Sequence, residues 1–208
     1  MTEYSITRSM DATTARATAR ASRERLAHAN GWWGMLIFVL TEATLFIMLF
    51  ATYYYLRFRN VHWPPPGVPE PKVLVPALLT GVLLGTSVLM QSAVAAARRA
   101  DLSFARLALA GAALVQAAYL VAQIHLFLDD LDKFQPSGSA YASIYFVLLG
   151  THHTHVLVGV LLNAWLLLRL LPGITNYRFV GLHAATLYWH FVNLAAIPVL
   201  LTQIFPRL

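Results

Sequence analysis

The 208-residue chain contains no cysteine, and only 12% of its residues are charged. The first absence excludes disulfides, thiolate metal sites and iron–sulfur clusters. The second, beside a hydrophobic content of 58%, excludes an ordinary soluble domain, in which about a quarter of residues are charged. Acids are scarce too, with 9 Asp and Glu against 15 Lys and Arg and a net charge of +6. A basic surplus can mark a nucleic-acid binder. Here the arginines flank apolar runs and form no basic, aromatic-interleaved face, so membrane topology accounts for the charge and no nucleic-acid partner is expected. Also missing is an apolar run ahead of Trp32: residues 1–29 are rich in Ala, Thr, Ser and Arg and lack the hydrophobic core of a secretory signal. They read as a retained, partly helical, basic cytoplasmic tail, the alternative being a transit peptide.

What the chain does contain is five apolar stretches of membrane-spanning length. The spacing predicts one all-α domain over residues 30–208, a polytopic bundle with spans at about 33–57, 73–97, 103–128, 140–171 and 177–204. The first stretch carries tryptophans at one end and tyrosines at the other, as interfacial anchors do. The proline-rich segment from His62 to Lys72 is predicted to be an extended external loop, because proline removes donors and fixes φ. The second span holds Gly81 and Gly85 in the small-xxx-small spacing that permits close helix packing in lipid. The third ends in an expected acidic loop of Asp129, Asp130 and Asp132, and Pro198 is expected to kink the fifth. An odd number of spans puts the termini on opposite sides. Ten Lys and Arg, in the tail, the 2–3 turn and the 4–5 turn, stand against five on the other side, which favours a cytoplasmic amino terminus.

Of the acids, Glu42 alone falls within a predicted span. A carboxylate at that depth costs several kcal/mol to insert unless it is protonated or paired, so it is either a proton-handling or inter-subunit group or a hydrogen-bonding link between helices. Span four carries THHTH, in which His152 and His155 lie three apart on one face; span five carries YWHFVN, with His190 and Asn193 at similar depth. Glu42, His152, His155, His190 and Asn193 therefore form a candidate interior polar layer. Three chemistries compete for it: a bis-histidine haem between His152 or His155 and His190, a metal held by three histidines and the glutamate, and hydrogen bonding between helices with or without a proton role. Gln116, Gln123, His125 and His183 read as packing or interfacial groups.

These residues carry a family resemblance. The stretch WGMLIFVLTEATLFIMLFATYYYLR around Glu42, LGTHHTHVLVG from Leu149 to Gly159, and YWHFVN from Tyr188 to Asn193 occur in the order in which subunit III of the haem–copper terminal oxidases carries similar motifs. The chain resembles that family over roughly Trp32 to Phe205, in its short five-helix form. It departs where the family usually has aspartate at Asn193, glutamate at His183, and an acid three residues after Gln123, where this chain has Leu126. The resemblance implies an accessory subunit with no catalytic residue, cofactor or metal of its own, bound mainly to an oxidase subunit I that holds haem and copper, with subunit II and other subunits beside it. It implies bound phospholipid, support for proton uptake and for oxygen reduction to water, protection of the complex during turnover, and a place in a bacterial inner membrane. Alternatives are a haem-ligating membrane-anchor cytochrome and a subunit III-like partner of a quinol oxidase or nitric oxide reductase. The electron donor belongs to surfaces on other subunits.

Overall fold

The structure, a computed structural model, describes residues 2–69, 71–173 and 175–204, with residues 2–29 and Asn176 described by their backbone alone. Among the described residues five α-helices follow one another, α1 (Thr2–Arg59), α2 (Leu74–Arg98), α3 (Leu102–Lys133), α4 (Ala140–Leu170) and α5 (Asn176–Ile204), with a 3-10 turn at Pro136–Gly138. All five contain stretches long and apolar enough to cross a membrane, at Asn30–Arg59, Leu74–Arg98, Leu102–Lys133, Ala140–Leu170 and Tyr177–Ile204. The backbone of the basic tail runs into the first span as one helix. Helix α5 continues through Pro198.

The helices pack so that α2, α3, α4 and α5 close a ring, each touching the next, while α1 lies outside the ring against α4 and α5. The α2–α3 seam is lined by small buried residues, Ala93, Ala96 and Ala97 facing Ala105, Ala108 and Ala112. Small side chains let backbones approach where lipid supplies no hydrophobic drive. The turn between them is set by Ala100 at φ 60° and by Asp101, whose side chain accepts from Phe104 N at 3.1 Å as an N-cap. At the same end of the bundle Arg106 reaches from α3 to the last turn of α4, donating from Nε and Nη2 to Leu170 O at 3.2 and 3.0 Å and from Nη2 to Leu171 O at 3.1 Å. It thereby satisfies carbonyls that a helix end otherwise leaves orphaned.

The opposite end has its own aromatic core. The proline-rich loop folds inward at Trp63, which is 6% exposed and stacks edge-on against Tyr53 and Tyr141. Trp63 Nε1 donates to Tyr53 Oη at 3.1 Å, and Tyr53 Oη donates to Thr202 O at 2.5 Å, tying the loop to α1 and α5. The expected extended loop is thus a packed cover, with Trp63 and Pro71 buried. The expected acidic loop after the third span is corrected as well: Asp129, Asp130 and Asp132 are the last turns of α3. Tyr145 Oη donates to Asp130 Oδ2 at 2.7 Å, Lys133 Nζ donates to Asp130 Oδ1 at 3.4 Å, and Lys72 lies 3.8 Å from Asp129. These partners offset the unfavourable placing of carboxylates at a helix C-terminus.

Candidate functional site

Glu42 sits near the middle of the first span, on the side of α1 turned toward α4. Its Oε2 lies 3.0 Å from His155 Nε2, with 23% of the Glu42 side chain and 11% of the His155 side chain exposed at the flank of the bundle. The other ring nitrogen, His155 Nδ1, lies 2.7 Å from Thr151 O. A backbone carbonyl can only accept, so Nδ1 carries a hydrogen. The Nε2–Oε2 contact then requires one further proton, on the carboxyl as Glu–COOH with neutral imidazole, or on the ring as carboxylate with imidazolium. Either way the pair is neutral overall and shares one transferable proton. Phe46 and Phe191 flank the imidazole, at ring-centroid distances of 5.0 and 6.3 Å, and Tyr188 Oη donates to His155 O at 3.0 Å.

His190 and Asn193 belong to a second group, on the α5 face turned toward α2. His190 Nδ1 lies 3.1 Å from Ser87 Oγ. Asn193 Nδ2 donates to Ser87 Oγ at 2.6 Å and to Leu83 O at 3.1 Å. One turn away Trp189 Nε1 donates to Thr86 Oγ1 at 2.7 Å. His152 stands apart from both groups: it is 2% exposed and faces the interior of the ring. The expected single layer therefore divides into an α1–α4 pair, an α2–α5 cluster and an isolated histidine. The division follows from the helix. His152 and His155 are close in direction but not coincident, and α1 lies outside the ring, so one histidine meets α1 while the other points inward.

That division bears on the competing chemistries. His155 is committed to Glu42 and His190 to Ser87, so the two histidines meet different neighbours. Among the described residues no group of three or more His, Asp and Glu is placed to hold a metal ion. Gly81 and Gly85 also fall elsewhere than the spacing implied for this chain's own helices. Both face outward, and a Cβ on either would meet nothing within 4 Å. Close approaches are at Gly159, where an added Cβ would lie within 2.6 Å of two Trp189 ring carbons and 3.5 Å from Tyr188, and at Gly31, where it would lie 2.6 Å from Val180.

Sequence reasoning missed the partners that are small or hydroxylic. Ser87 and Thr86 are ordinary inside spans, and their roles appear only when α2 is set against α5. Gln116 was read as packing, and it does pack: Asn163 Nδ2 donates to Gln116 Oε1 at 2.6 Å, with both residues buried. Asn163, a lone amide in an apolar run, was the available signal. His183 lies near the cytoplasm-facing end predicted for α5, with Nε2 at 3.2 Å from Arg98 Nη2. Gln123 Nε2 donates to Tyr119 Oη at 3.3 Å, and His125 is exposed.

The family model described as Cytochrome c oxidase subunit III matches residues 10–205. The chain belongs to the cytochrome c oxidase subunit III family. It is 30% identical over 163 residues to cytochrome c oxidase subunit 3 of Synechocystis sp., an alignment covering 77% of this chain and 69% of the relative. It is likewise 30% identical to the protein of the same name from Thermostichus vulcanus, over 77% of this chain and 79% of the relative. Against that of Pisaster ochraceus it is 32% identical, over 81% of this chain and 67% of the relative. Within this subunit III the span motif, the THHTH motif and the YWHFVN motif all lie in helices that touch one another, α1, α4 and α5. Its Asn193 acts as a donor to Leu83 and Ser87, a role an ionised aspartate could not fill. Its His183 meets a guanidinium through a ring nitrogen, where a carboxylate would form an ion pair instead.

Proposed function

We propose that this chain is the non-catalytic accessory subunit of a respiratory haem–copper oxidase of the cytochrome c oxidase type. In this reading it binds chiefly to subunit I, with subunit II and other subunits nearby, and the haem and copper reside in those partners. It supports proton uptake during the reduction of oxygen to water and stabilises the complex, with phospholipid bound at its flanks. Its amino terminus is cytoplasmic, in a bacterial inner membrane.

The observation that carries the proton role is the Glu42–His155 contact at 3.0 Å. It is a carboxyl and an imidazole sharing one proton in the middle of a span, partly exposed on the side of the bundle and braced through Thr151. The shared proton can pass between carboxyl and imidazole at little geometric cost, because both arrangements keep Oε2 and Nε2 in contact. The Gly81–Gly85 stripe on α2 faces outward, and on this reading it packs against another subunit.

Two measurements test the proposal. The tagged chain should copurify with a larger polytopic subunit bearing haem, while the isolated chain shows no haem absorbance; a stoichiometric haem spectrum on the isolated chain would count decisively against it. In the complex, Glu42→Gln keeps the shape and can donate to neutral His155 Nε2, so assembly should survive. It removes the shared proton, so proton uptake should slow or inactivation during turnover should quicken. Unchanged kinetics with unchanged inactivation would reduce Glu42 to a packing group.

A further inference from the structure

The two ring nitrogens of His152 have no hydrogen-bond partner among the described residues, although the side chain is 2% exposed. Leaving a buried polar group unsatisfied is costly, and an imidazole in a helix has an alternative close at hand, as His155 demonstrates by bonding the carbonyl four residues back. His152 instead faces a cavity of about 10 Å³ lined by residues of α2, α3, α4 and α5. Its polar lining is Thr80 from α2, Tyr119 and Gln123 from α3, His152 and His153 from α4, and Gln203 from α5. Four helices each contribute at least one hydroxyl, amide or imidazole to one small space, while the remaining lining is aliphatic or proline.

From this geometry we infer that the cavity is a built site for one water molecule, held by His152 together with the Thr80 hydroxyl and the Gln123 and Gln203 amides. Size is consistent with water first: the space beside His152, in a pocket partly open at one side, is about 10 Å³, about what one water requires. Charge fixes it second. No Asp, Glu, Lys or Arg lines the cavity, so a bare cation or anion would be buried without a counter-charge, whereas a water needs two to four polar partners of either sense. Chemistry fixes it third, because an imidazole presents one donor and one acceptor, and a water can answer either. The site is distinct from the Glu42–His155 pair and stands on the fold alone. It joins all four helices of the ring at one point, which gives the ring a polar keystone that neither Gly81 nor Gly85 supplies.

The test uses the full chain in lipid nanodiscs with ¹⁵N-labelled histidine, read by solid-state NMR with magnetisation transferred from water. His152 is assigned by the signal lost in His152→Gln, and His62, exposed in the external loop, reports water contact in the same spectrum. The expected result is transfer from water to a His152 ring nitrogen, with loss of that transfer in both Thr80→Val, which keeps the side-chain volume, and Gln123→Leu. Two results overturn the inference: no transfer to His152 while His62 receives it, or transfer to His152 that survives both substitutions. Failure here leaves the oxidase reading untouched, since that reading is tested by copurification and by Glu42→Gln.

Discussion

At His155 both ring nitrogens are engaged, one with Thr151 O at 2.7 Å and one with Glu42 at 3.0 Å, so deleting Glu42 has a cost that reaches beyond the carboxyl itself. Glu42→Ala leaves His155 Nε2 without a partner at the flank of the bundle, and it should destabilise the folded chain by about 1–3 kcal/mol. Thermal unfolding in detergent would show a lower midpoint for Glu42→Ala than for Glu42→Gln, and equal midpoints would mean that lipid or a neighbouring group replaces the lost partner. Asn193 poses the complementary case, an amide donor inside a span. Asn193→Asp, if ionised, can no longer donate to Leu83 O or Ser87 Oγ and sets a carboxylate against a carbonyl. It should cost more stability than Asn193→Ala, read as yield and unfolding midpoint of the purified chain; the reverse order would show that the aspartate finds a proton or a donor in situ. The site residues were legible in the sequence because ionisable and amide groups are rare in spans, and rarity made Glu42, His155, His190 and Asn193 visible. Their grouping was not legible. Depth can be counted along a helix, but the lateral choice between α1 and α2 as partner depends on how the ring closes, and no residue in the chain states that.

Among the elements, helix existence was plain from apolar runs, and bounds shifted where tertiary partners changed the energetics of a helix end. Helix α3 continues to Lys133 because Tyr145, Lys133 and Lys72 receive its terminal acids. The loop anchor Trp63 escaped notice because three consecutive prolines dominate its surroundings and conceal one aromatic that packs inward. The small-residue spacing at Gly81 and Gly85 names a capacity for close approach without naming the neighbour. Approaches within the chain fall at Gly31, against Val180, and most tightly at Gly159, where the fully buried Trp189 ring occupies the space of a Cβ. Gly159→Leu must displace that indole and break its bond to Thr86, so it should abolish a stable bundle, while Gly159→Ala should cost about 1–3 kcal/mol as overpacking. Helicity and unfolding midpoint measured together would detect both; a Gly159→Ala variant as stable as the parent would mean the α4–α5 seam can widen. Arg106 is the corresponding device at the α3–α4 end. Arg106→Ala strips charged donors from Leu170 and Leu171 and should cost about 1.5–3 kcal/mol, with Arg106→Lys intermediate because an ammonium lacks the planar fork that serves two carbonyls.

For the whole molecule, the ring of four helices with α1 alongside leaves one global choice, which way it is inserted. The turns joining α2 to α3 and α4 to α5 lie at one end, and the proline-rich loop and the α3–α4 connection at the other, since successive spans alternate in direction. Arg98, Arg99, Arg106, Arg169 and Arg178 cluster at the first end, where five more arginines of the tail add to them; the other end has half as many basic residues. Translocating a basic segment against an inside-negative potential costs about 2.3 kcal/mol per charge per 100 mV, so the richer end should stay in the cytoplasm. The lack of native cysteine makes the choice directly readable, because a single introduced thiol is the only one in the chain. Val61→Cys and Ser137→Cys place it at exposed positions of one end, and Ser103→Cys and Thr175→Cys at exposed positions of the other. In intact spheroplasts a charged, membrane-impermeant maleimide should label the first two and spare the second two until the membrane is lysed. The opposite pattern would invert the bundle and place Arg106 and its α4 clasp on the outer side. Labelling of all four before lysis would show that the basic ends do not fix a single orientation.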